Sequence, residues 1–349
     1  MLHTLISFTP FMVCLFWVIV FLLDYRRHDP AKKVLTWFLL TCTILYLCHA
    51  LFFTTGRHHP LDCIWALCSL SVFPIFHIYI RTLTKGFSDS SRQYLTLVPG
   101  FVFFLILLFN PASSLDVVRT ALFTVQIAVV LVSGTKMLQE FDREVESCYA
   151  DTEGRDTTDI KKLLQAFVAT SIFSAVASAL GRSFFGEDDR LLMAVSFVFA
   201  SLLFAISYIG YTREFSYSVM SMETEEEEAV PEGAQDSEET LGRKLDELME
   251  RKQLFLEKGL KINDVAREIG SCRTYVSNYL NKTKGETFSD YINRLRIEHA
   301  LTVLEKDHQI KNIALAERLG FASEQSFYRN FKKFTGKTPA QWKEEKIRN

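Results

Sequence analysis

The segment Gly320–Trp342 reads GFASEQSFYRNFKKFTGKTPAQW, and the helical pattern within it occurs twice in the carboxyl-terminal part of the chain. The first copy starts at Gly270 and the second at Gly320, and each ends at a further glycine fifteen or sixteen residues later. Between these glycines apolar residues fall four apart, which predicts a short amphipathic helix with one buried and one free face. The first glycine of each copy suits a sharp turn after a preceding helix. The pattern therefore predicts two helix-turn-helix units, at about residues 261–285 and 311–336.

The free faces of the two predicted helices carry side chains that can read DNA bases. Gln and Asn can pair with adenine and Arg with guanine, and each good pair gives roughly 1–3 kcal/mol of discrimination. Lysines at the far ends of the same helices suit phosphates, which position a protein on DNA without specifying sequence. The candidate base-reading residues are Arg273, Thr274, Ser277, Asn278, Gln325, Ser326 and Arg329. The candidate phosphate-binding residues are Lys282, Lys332 and Lys333.

Charge is distributed unevenly along the chain. The whole sequence of 349 residues has a net charge of −2, whereas Leu241–Asn349 holds 22 Lys and Arg against 15 Asp and Glu. This surplus of seven positive charges would draw the carboxyl-terminal part to a polyanion such as double-stranded DNA. The alternative interpretation is a plain helical bundle with a polar surface, which requires no second copy of the pattern.

The same region resembles a known family. Gly320–Trp342 resembles the signature that closes the DNA-binding domain of AraC-type bacterial transcription regulators. Thr287–Leu304, TFSDYINRLRIEHALTVL, resembles the helix that joins the two helix-turn-helix units of that family. The resemblance covers about 100 of the 349 residues. It implies an all-α, seven-helix domain that sets two recognition helices into successive segments of the major groove.

Carried over by position, the resemblance also implies which residues read bases. In the first unit these are Thr274, Ser277 and Asn278, and in the second they are Gln325, Ser326 and Arg329. The first unit departs from the family pattern. Where many members have an aromatic residue followed by two lysines, this chain has Leu280, Asn281 and Lys282, which removes one expected phosphate contact.

Two helix starts are predicted from local chemistry alone. Thr287 is followed three residues later by Asp290. Thr338 is followed directly by Pro339 and, three residues after Thr338, by Gln341. Both patterns are typical of a capping box, and a proline suits the first helical position.

The first part of the chain is unusually apolar. The whole sequence is 48% hydrophobic and 13% aromatic, and the excess lies before residue 213. Seven apolar runs carry Asp, Glu, Lys and Arg only at their ends, if at all, and each can approach the ~30 Å thickness of a hydrocarbon core. The runs are about Thr4–Leu23, Val34–Phe53, Ile64–Ile80, Leu95–Phe109, Thr120–Thr135, Leu163–Leu180 and Leu191–Tyr211. They predict a seven-helix transmembrane bundle at residues 1–213; core helices of a soluble domain would show polar faces.

The basic residues between the runs predict an orientation. The connections after the first, third and fifth runs hold twelve Lys and Arg, whereas those after the second, fourth and sixth hold four. By the positive-inside rule the first set is cytoplasmic. Seven spans then place the amino terminus outside and the carboxyl-terminal domain in the cytoplasm of a bacterium, with the protein in the inner membrane.

An acidic linker is predicted at residues 214–240, before a DNA-binding domain at 241–349. From Met222 to Thr240 the chain contains many carboxylates and no Lys or Arg. Such a segment cannot bury enough apolar surface to fold. Two interpretations stay open: a solvated tether that repels anionic lipid, or an acidic run, chiefly Glu225–Glu228, that competes with DNA for the basic surface.

Signatures of catalysis are missing from the sequence. It contains no Gly-rich phosphate loop, no Ser/His/Asp or Cys/His set in a soluble domain and no ATP-binding segment. The seven cysteines suggest neither a disulfide framework nor a zinc site. We therefore predict no enzymatic activity, no cofactor and no metal site.

Together these patterns predict a membrane-integral, one-component transcription regulator whose membrane domain senses an unknown ligand or membrane signal. The expected partners are promoter DNA, the lipid bilayer, RNA polymerase and a second copy of the chain, since small residues recur in the sixth apolar run. The alternative function is a receptor or transporter-like membrane protein whose carboxyl-terminal domain mainly binds other proteins.

Overall fold

The computed structural model describes residues 8–27, 29–55, 59–86, 91–109, 116–180, 190–225 and 238–348. Within these ranges the regular structure is helical, and the β-type pairing is an isolated bridge between Tyr149 and Lys261. The predicted all-α class is thus confirmed for the described part of the chain. The chain divides into two compact units, Met1–Phe141 with Thr157–Val219, and Asp142–Asp156 with Met220–Asn349.

Among the described residues before Arg213, seven α-helices overlap the seven apolar runs. They are α1 (Thr9–Leu23), α2 (Pro30–Thr55), α3 (His59–Lys85), α4 (Val98–Phe109, after a 3-10 helix at Ser91–Leu97), α5 (Asp116–Cys148), α6 (Thr158–Leu180) and α7 (Arg190–Thr212). Long runs of residues with adequate helix propensity favour continuous helix, and Pro74 lies inside α3 without ending it.

Four stretches of the described chain are long and apolar enough to cross a membrane: Pro30–Leu51, His59–Lys85, Val117–Cys148 and Ser196–Met222. The helices over Thr9–Leu23 and Gln93–Phe109 are apolar but shorter. At 1.5 Å per residue, the 15 residues of α1 extend only about 22 Å, short of the ~30 Å of a hydrocarbon core. Four of the seven predicted spans therefore overlap described helices of sufficient length and hydropathy.

The first unit has apolar side chains both inside and outside. Phe38 packs against Phe76 with ring centroids 5.2 Å apart, and Phe73 packs against Phe167 at the same separation. On the outside, large apolar side chains are exposed along several helices, among them Phe16, Phe101, Phe109 and Phe197. Phe109 is 83% exposed and Phe197 65% exposed.

The predicted linker is partly helical. Helix α8 covers Tyr217–Glu225, and the next helix begins at Glu238. Residues 226–237, which include most of the acidic run at Glu225–Glu228, lie outside the described residues. The domain limits at 213, 240 and 241 therefore stay predictions.

The carboxyl-terminal part contains seven α-helices among its described residues, the number that the family resemblance implies. They are α9 (Glu238–Lys252), α10 (Ile262–Glu268), α11 (Arg273–Tyr279), α12 (Phe288–Lys306), α13 (Asn312–Arg318), α14 (Glu324–Thr335) and α15 (Pro339–Arg348). Both predicted helix starts are confirmed. The hydroxyl of Thr287 accepts from the Asp290 N–H at 3.2 Å. Before α15, the Thr338 N–H donates to Gln341 Oε1 at 2.9 Å and the Gln341 N–H donates to Thr338 Oγ1 at 3.2 Å.

Helix α12 joins two small apolar cores. On one side of the unit the first pair of helices buries Val265, Val276 and Leu280. On the other side the second pair buries Leu315, Phe321, Phe327 and Phe331 against the last turns of α12. Each core holds one of the two helices, α11 or α14, by its apolar face.

Candidate nucleic-acid interface

Both turns adopt the left-handed backbone that the glycines predict. Gly270, between α10 and α11, has φ of +66°, and Gly320, between α13 and α14, has φ of +76°. A Cβ on Gly320 would lie 2.3 Å from the carbonyl oxygen of Leu256, whereas at Gly270 there is nothing within 4 Å. The two turns therefore require glycine for the same conformational reason, and the second also requires it for space.

The second recognition helix, α14, is set by its own sequence. The hydroxyl of Ser323 accepts from the Ser326 N–H at 3.1 Å and so caps the first turn. Gly336, with φ of +73°, ends the helix. Phe327 contacts Phe321 and Phe331 at centroid separations of 5.6 and 5.5 Å. One face of α14 is therefore held by these rings, and Gln325 and Arg329 lie exposed outside it.

The first recognition helix, α11, is shorter and less regular. It begins after Cys272, whose side chain makes no capping hydrogen bond. It continues into a π-helical turn at Leu280–Lys284 that ends at Gly285 with φ of +72°. This turn covers the positions where the sequence departs from the family pattern. π-Helical turns are rare, and often lie at functional sites.

Most of the predicted base-reading residues lie at the surface. Exposed are Thr274, Asn278, Gln325 and Arg329. Ser277 is partly buried, and its hydroxyl accepts from Asn281 Nδ2 at 3.2 Å. Arg273 is also partly buried, with its guanidinium 3.9 Å from the carboxylate of Glu144. The roles of these residues at DNA stay predictions.

Ser326 requires a correction. The sequence places it on the free face of α14, but in the structure it is only 2% exposed. Its hydroxyl donates to the Asp151 carboxylate at 3.5 Å. Asp151 lies far from Ser326 in the sequence. The helical periodicity of α14 therefore could not reveal that Asp151 buries Ser326.

The three candidate phosphate-binding lysines differ in their surroundings. All of them, Lys282, Lys332 and Lys333, are exposed. Lys333 Nζ lies 2.6 Å from the carboxylate of Asp290, so a phosphate contact there would replace an exposed ion pair. Such pairs contribute about 0–1 kcal/mol, which is a small cost against a phosphate contact.

Sequence reasoning missed the contribution of Asp142–Asp156, here named the inserted segment. It belongs to the second compact unit, and its Asp151 forms an ion pair with Arg296 of α12. One signal was present in the sequence. Ile292, Arg296 and Ala300 are spaced as one helical face, and a charged residue between buried apolar ones requires a partner. Nothing near Arg296 in the sequence identified which partner it has.

The carboxyl-terminal region matches known proteins. Residues 265–345 match the family described as Helix-turn-helix domain. The probable transcription factor PqrA of Proteus vulgaris is 36% identical over 93 residues, which are 26% of this chain and 75% of that protein. An HTH-type transcriptional regulator of Staphylococcus aureus strain MSSA476 is 32% identical over 101 residues, which are 29% of this chain and 13% of the regulator. The HTH-type transcriptional regulator YtdP of Bacillus subtilis strain 168 is 34% identical over 91 residues, which are 26% and 12% of the two chains.

The matched region is a small part of the two HTH-type regulators, whose remaining length has no counterpart in these alignments. No solved structure matches the chain. PqrA is different, because this chain covers three quarters of it. The residues that match the family, 265–345, include both glycine turns and both helices α11 and α14. Through its carboxyl-terminal unit, the chain therefore belongs to the AraC-type helix-turn-helix proteins.

Proposed function

We propose that this protein is a membrane-integral, one-component transcription regulator that binds promoter DNA through its two helix-turn-helix units. The observation that carries the proposal is the pair of recognition helices, each held on one face by an apolar core. Their other faces present exposed Thr274, Asn278, Gln325 and Arg329, side chains suited to base edges in the major groove. The relatives named as transcription regulators support the same role.

The membrane half of the proposal is supported by the helices of the first unit. Four stretches meet the length and hydropathy of a span, and large aromatic side chains such as Phe109 and Phe197 are exposed. A helix that is apolar on all sides suits lipid better than water. We extend the proposal to seven spans, α1 to α7, with the amino terminus outside and the carboxyl-terminal unit in the cytoplasm. The support for this topology is the bias of Lys and Arg toward alternate connections.

In this proposal the membrane unit senses a ligand or membrane signal, and the regulator acts on promoters together with RNA polymerase and, where operators have two half-sites, a second copy of the chain. A signal can act only if it binds two states of the protein with different affinity. No enzymatic step is required.

Selection of duplexes by the full-length protein in nanodiscs tests the DNA-binding half. From a random-sequence duplex library at low salt, we expect a defined motif to be enriched. Arg329→Ala should cost roughly 1–3 kcal/mol of preference at one base pair of that motif. Lys332→Ala should weaken all duplexes alike and reduce the slope of log K against log salt by about one unit. Lys346→Ala is the matched control, because it removes one positive charge at a residue paired with Glu305, outside both recognition helices.

If no motif is enriched and both the Arg329→Ala and Lys332→Ala variants bind duplexes as the wild-type protein does, the alternative function is supported instead. In that alternative the carboxyl-terminal domain mainly binds other proteins. A reporter that is active only in the cytoplasm, fused after Asn349, tests the topology. Activity is expected, and an inactive fusion whose reporter is reached from outside intact cells would refute it.

A further inference from the structure

The inserted segment, Asp142–Asp156, belongs to the DNA-binding unit although the chain before and after it belongs to the first unit. Its residues up to Cys148 form the end of α5, and the rest is an irregular loop. A connection of this kind would ordinarily be expected to run over the surface in water. The inserted segment instead contributes buried residues to the carboxyl-terminal unit.

Main-chain hydrogen bonds hold the middle of the inserted segment. Tyr149 forms the isolated bridge with Lys261, and the Ala150 N–H donates to the carbonyl of Leu260 at 3.0 Å. The carbonyl of Ala150 accepts from Ser289 Oγ at 2.9 Å and from Asn293 Nδ2 at 2.8 Å. These side chains lie on α12, so the segment is fixed to the helix that joins the two helix-turn-helix units.

A buried ion pair completes the attachment. Arg296 Nη1 lies 3.2 Å from Asp151 Oδ2, with the two side chains 0% and 3% exposed. Arg296 also donates to the carbonyls of Phe255 and Glu257, at 2.6 and 2.8 Å. Burial lowers the pKa of the Arg296 guanidinium, and the Asp151 charge opposes that shift. Because separating a buried pair leaves a charge without its partner, partial release of the segment is disfavoured. The segment is therefore expected to be either docked or released as a whole.

The docked segment also brings carboxylates to both recognition helices. Glu144 lies 3.9 Å from Arg273, the first residue of α11. The hydroxyl of Ser323, which caps α14, donates to Glu153, and Ser326 donates to Asp151. In helix-turn-helix proteins the first residues of the recognition helix approach the bases, beside the negatively charged backbone. Carboxylates at these positions occupy donors that DNA would use and repel its phosphates.

We infer that the inserted segment is an intramolecular inhibitor: docked, it keeps the DNA-binding unit in a state of low affinity, and its release raises the affinity for DNA. The inference rests on the proposed function and specifies its regulation. Helix α5 runs from the first unit into the segment, so the same helix that carries a candidate span also carries Glu144. A signal in the first unit acts on DNA binding by shifting the balance between docked and released segment.

Neutralising the two surface carboxylates tests the inference without touching the buried pair. For full-length protein in nanodiscs with a duplex from the selection above, we expect Glu144→Gln with Glu153→Gln to bind about tenfold more tightly at low salt, the gain fading at high salt. The matched control is Glu305→Gln with Glu345→Gln, which changes net charge equally at residues paired with Lys346 and Lys337. An equal gain in the control, or no gain in the test variant, would overturn the inference.

Locking the segment tests the inference in the opposite direction. In a Cys272→Ser background, Glu153→Cys and Ser323→Cys would be bridged by a short, reducible bis-thiosulfonate reagent. We expect the bridged protein to lose at least about tenfold in DNA affinity and to recover it on reduction. Variants with only one of the two introduced cysteines, treated with the same reagent, should not show this change. Full affinity in the bridged state would contradict the inference.

The two proposals fail differently. If neither the wild-type protein nor any variant binds a duplex from the library, the proposed function fails and the inhibitor inference fails with it. If the wild-type protein binds a defined motif and the neutralised and bridged variants bind it equally well, only the inhibitor inference fails.

Discussion

The two helix-turn-helix units share a pattern, yet they are stabilised differently. In the second, Ser323 caps a twelve-residue recognition helix, and Phe327 and Phe331 of that helix are buried in an apolar core together with Phe321. In the first, Cys272 stands in the corresponding position without a capping bond, and the seven-residue helix passes into a π-helical turn. The second unit is thus set largely by local sequence, whereas the first depends more on packing around it.

The inserted segment adds a further difference. Its buried carboxylate, Asp151, contacts Ser326 of the second unit and Arg296, which packs on the ring of Phe321. The first unit receives the exposed Glu144 and the backbone bridge between Tyr149 and Lys261. The more regular unit is therefore the one that receives a buried carboxylate from a distant part of the chain. Three pairs of substitutions test this comparison.

The largest expected effect follows from removing the buried carboxylate. Asp151→Ala leaves Arg296 charged and buried, so the free energy of opening of α12 and α14 should fall by about 3–5 kcal/mol. Hydrogen–deuterium exchange of the full-length variant measures this loss. Relative to the wild-type protein, exchange should accelerate more in the second helix-turn-helix unit than in the first. Glu153→Ala, in the same segment but exposed, should change the opening free energy by no more than about 1 kcal/mol. Equal protection in the two variants would contradict the assignment of Asp151.

The glycine turns give a matched pair. An alanine in a left-handed conformation costs about 1–2 kcal/mol, and we expect Gly270→Ala to lower the free energy of unfolding by that amount. Gly320→Ala should cost a further 1–3 kcal/mol or so, because its Cβ would meet a backbone carbonyl that must move. Denaturant unfolding of the two variants measures the difference between their free energies of unfolding. Hydrogen–deuterium exchange in α10 and α13 is then measured for each variant. Equal losses would show that the space around Gly320 can relax.

The smallest effect concerns the two N-cap positions. Ser323→Ala, made in a Glu153→Gln background so that chiefly the cap is lost, should lower the free energy of unfolding by about 1 kcal/mol. Cys272→Ser supplies the missing cap in the first unit and should raise it by roughly 0.5–1 kcal/mol. Thermal unfolding of both variants checks that the first substitution lowers the stability and the second raises it. If Cys272→Ser is neutral, the first helix is held by packing alone.

Local features of the carboxyl-terminal unit could be predicted well from the sequence. The caps at Thr287 and Thr338 involve atoms within three residues, and the two glycine turns follow from backbone sterics. The spacing of Phe327 and Phe331 was enough to place Arg329 on the exposed face. These predictions succeed because the interactions that determine them are short in sequence.

Other features depend on contacts that no local pattern reports. Ser326 was predicted to be exposed, and it is covered by Asp151, 175 residues away in the chain. Apolar runs indicated helices in the first unit, but composition does not fix how far each helix extends, so four stretches rather than seven satisfy both length and hydropathy among the described residues. The inserted segment itself reads as an ordinary charged connection.

The socket that Ser289, Asn293 and Arg296 form for Ala150 and Asp151 has a practical consequence for protein engineering. A chimera that joins the carboxyl-terminal unit to a different amino-terminal domain at a single cut near residue 240 would leave the socket empty, with a guanidinium that has lost its counter-charge. Such a graft would need either the loop transplanted along with the carboxyl-terminal unit or a rewritten socket, for example with Arg296→Met. The modularity of this regulator is therefore that of two interleaved pieces of chain.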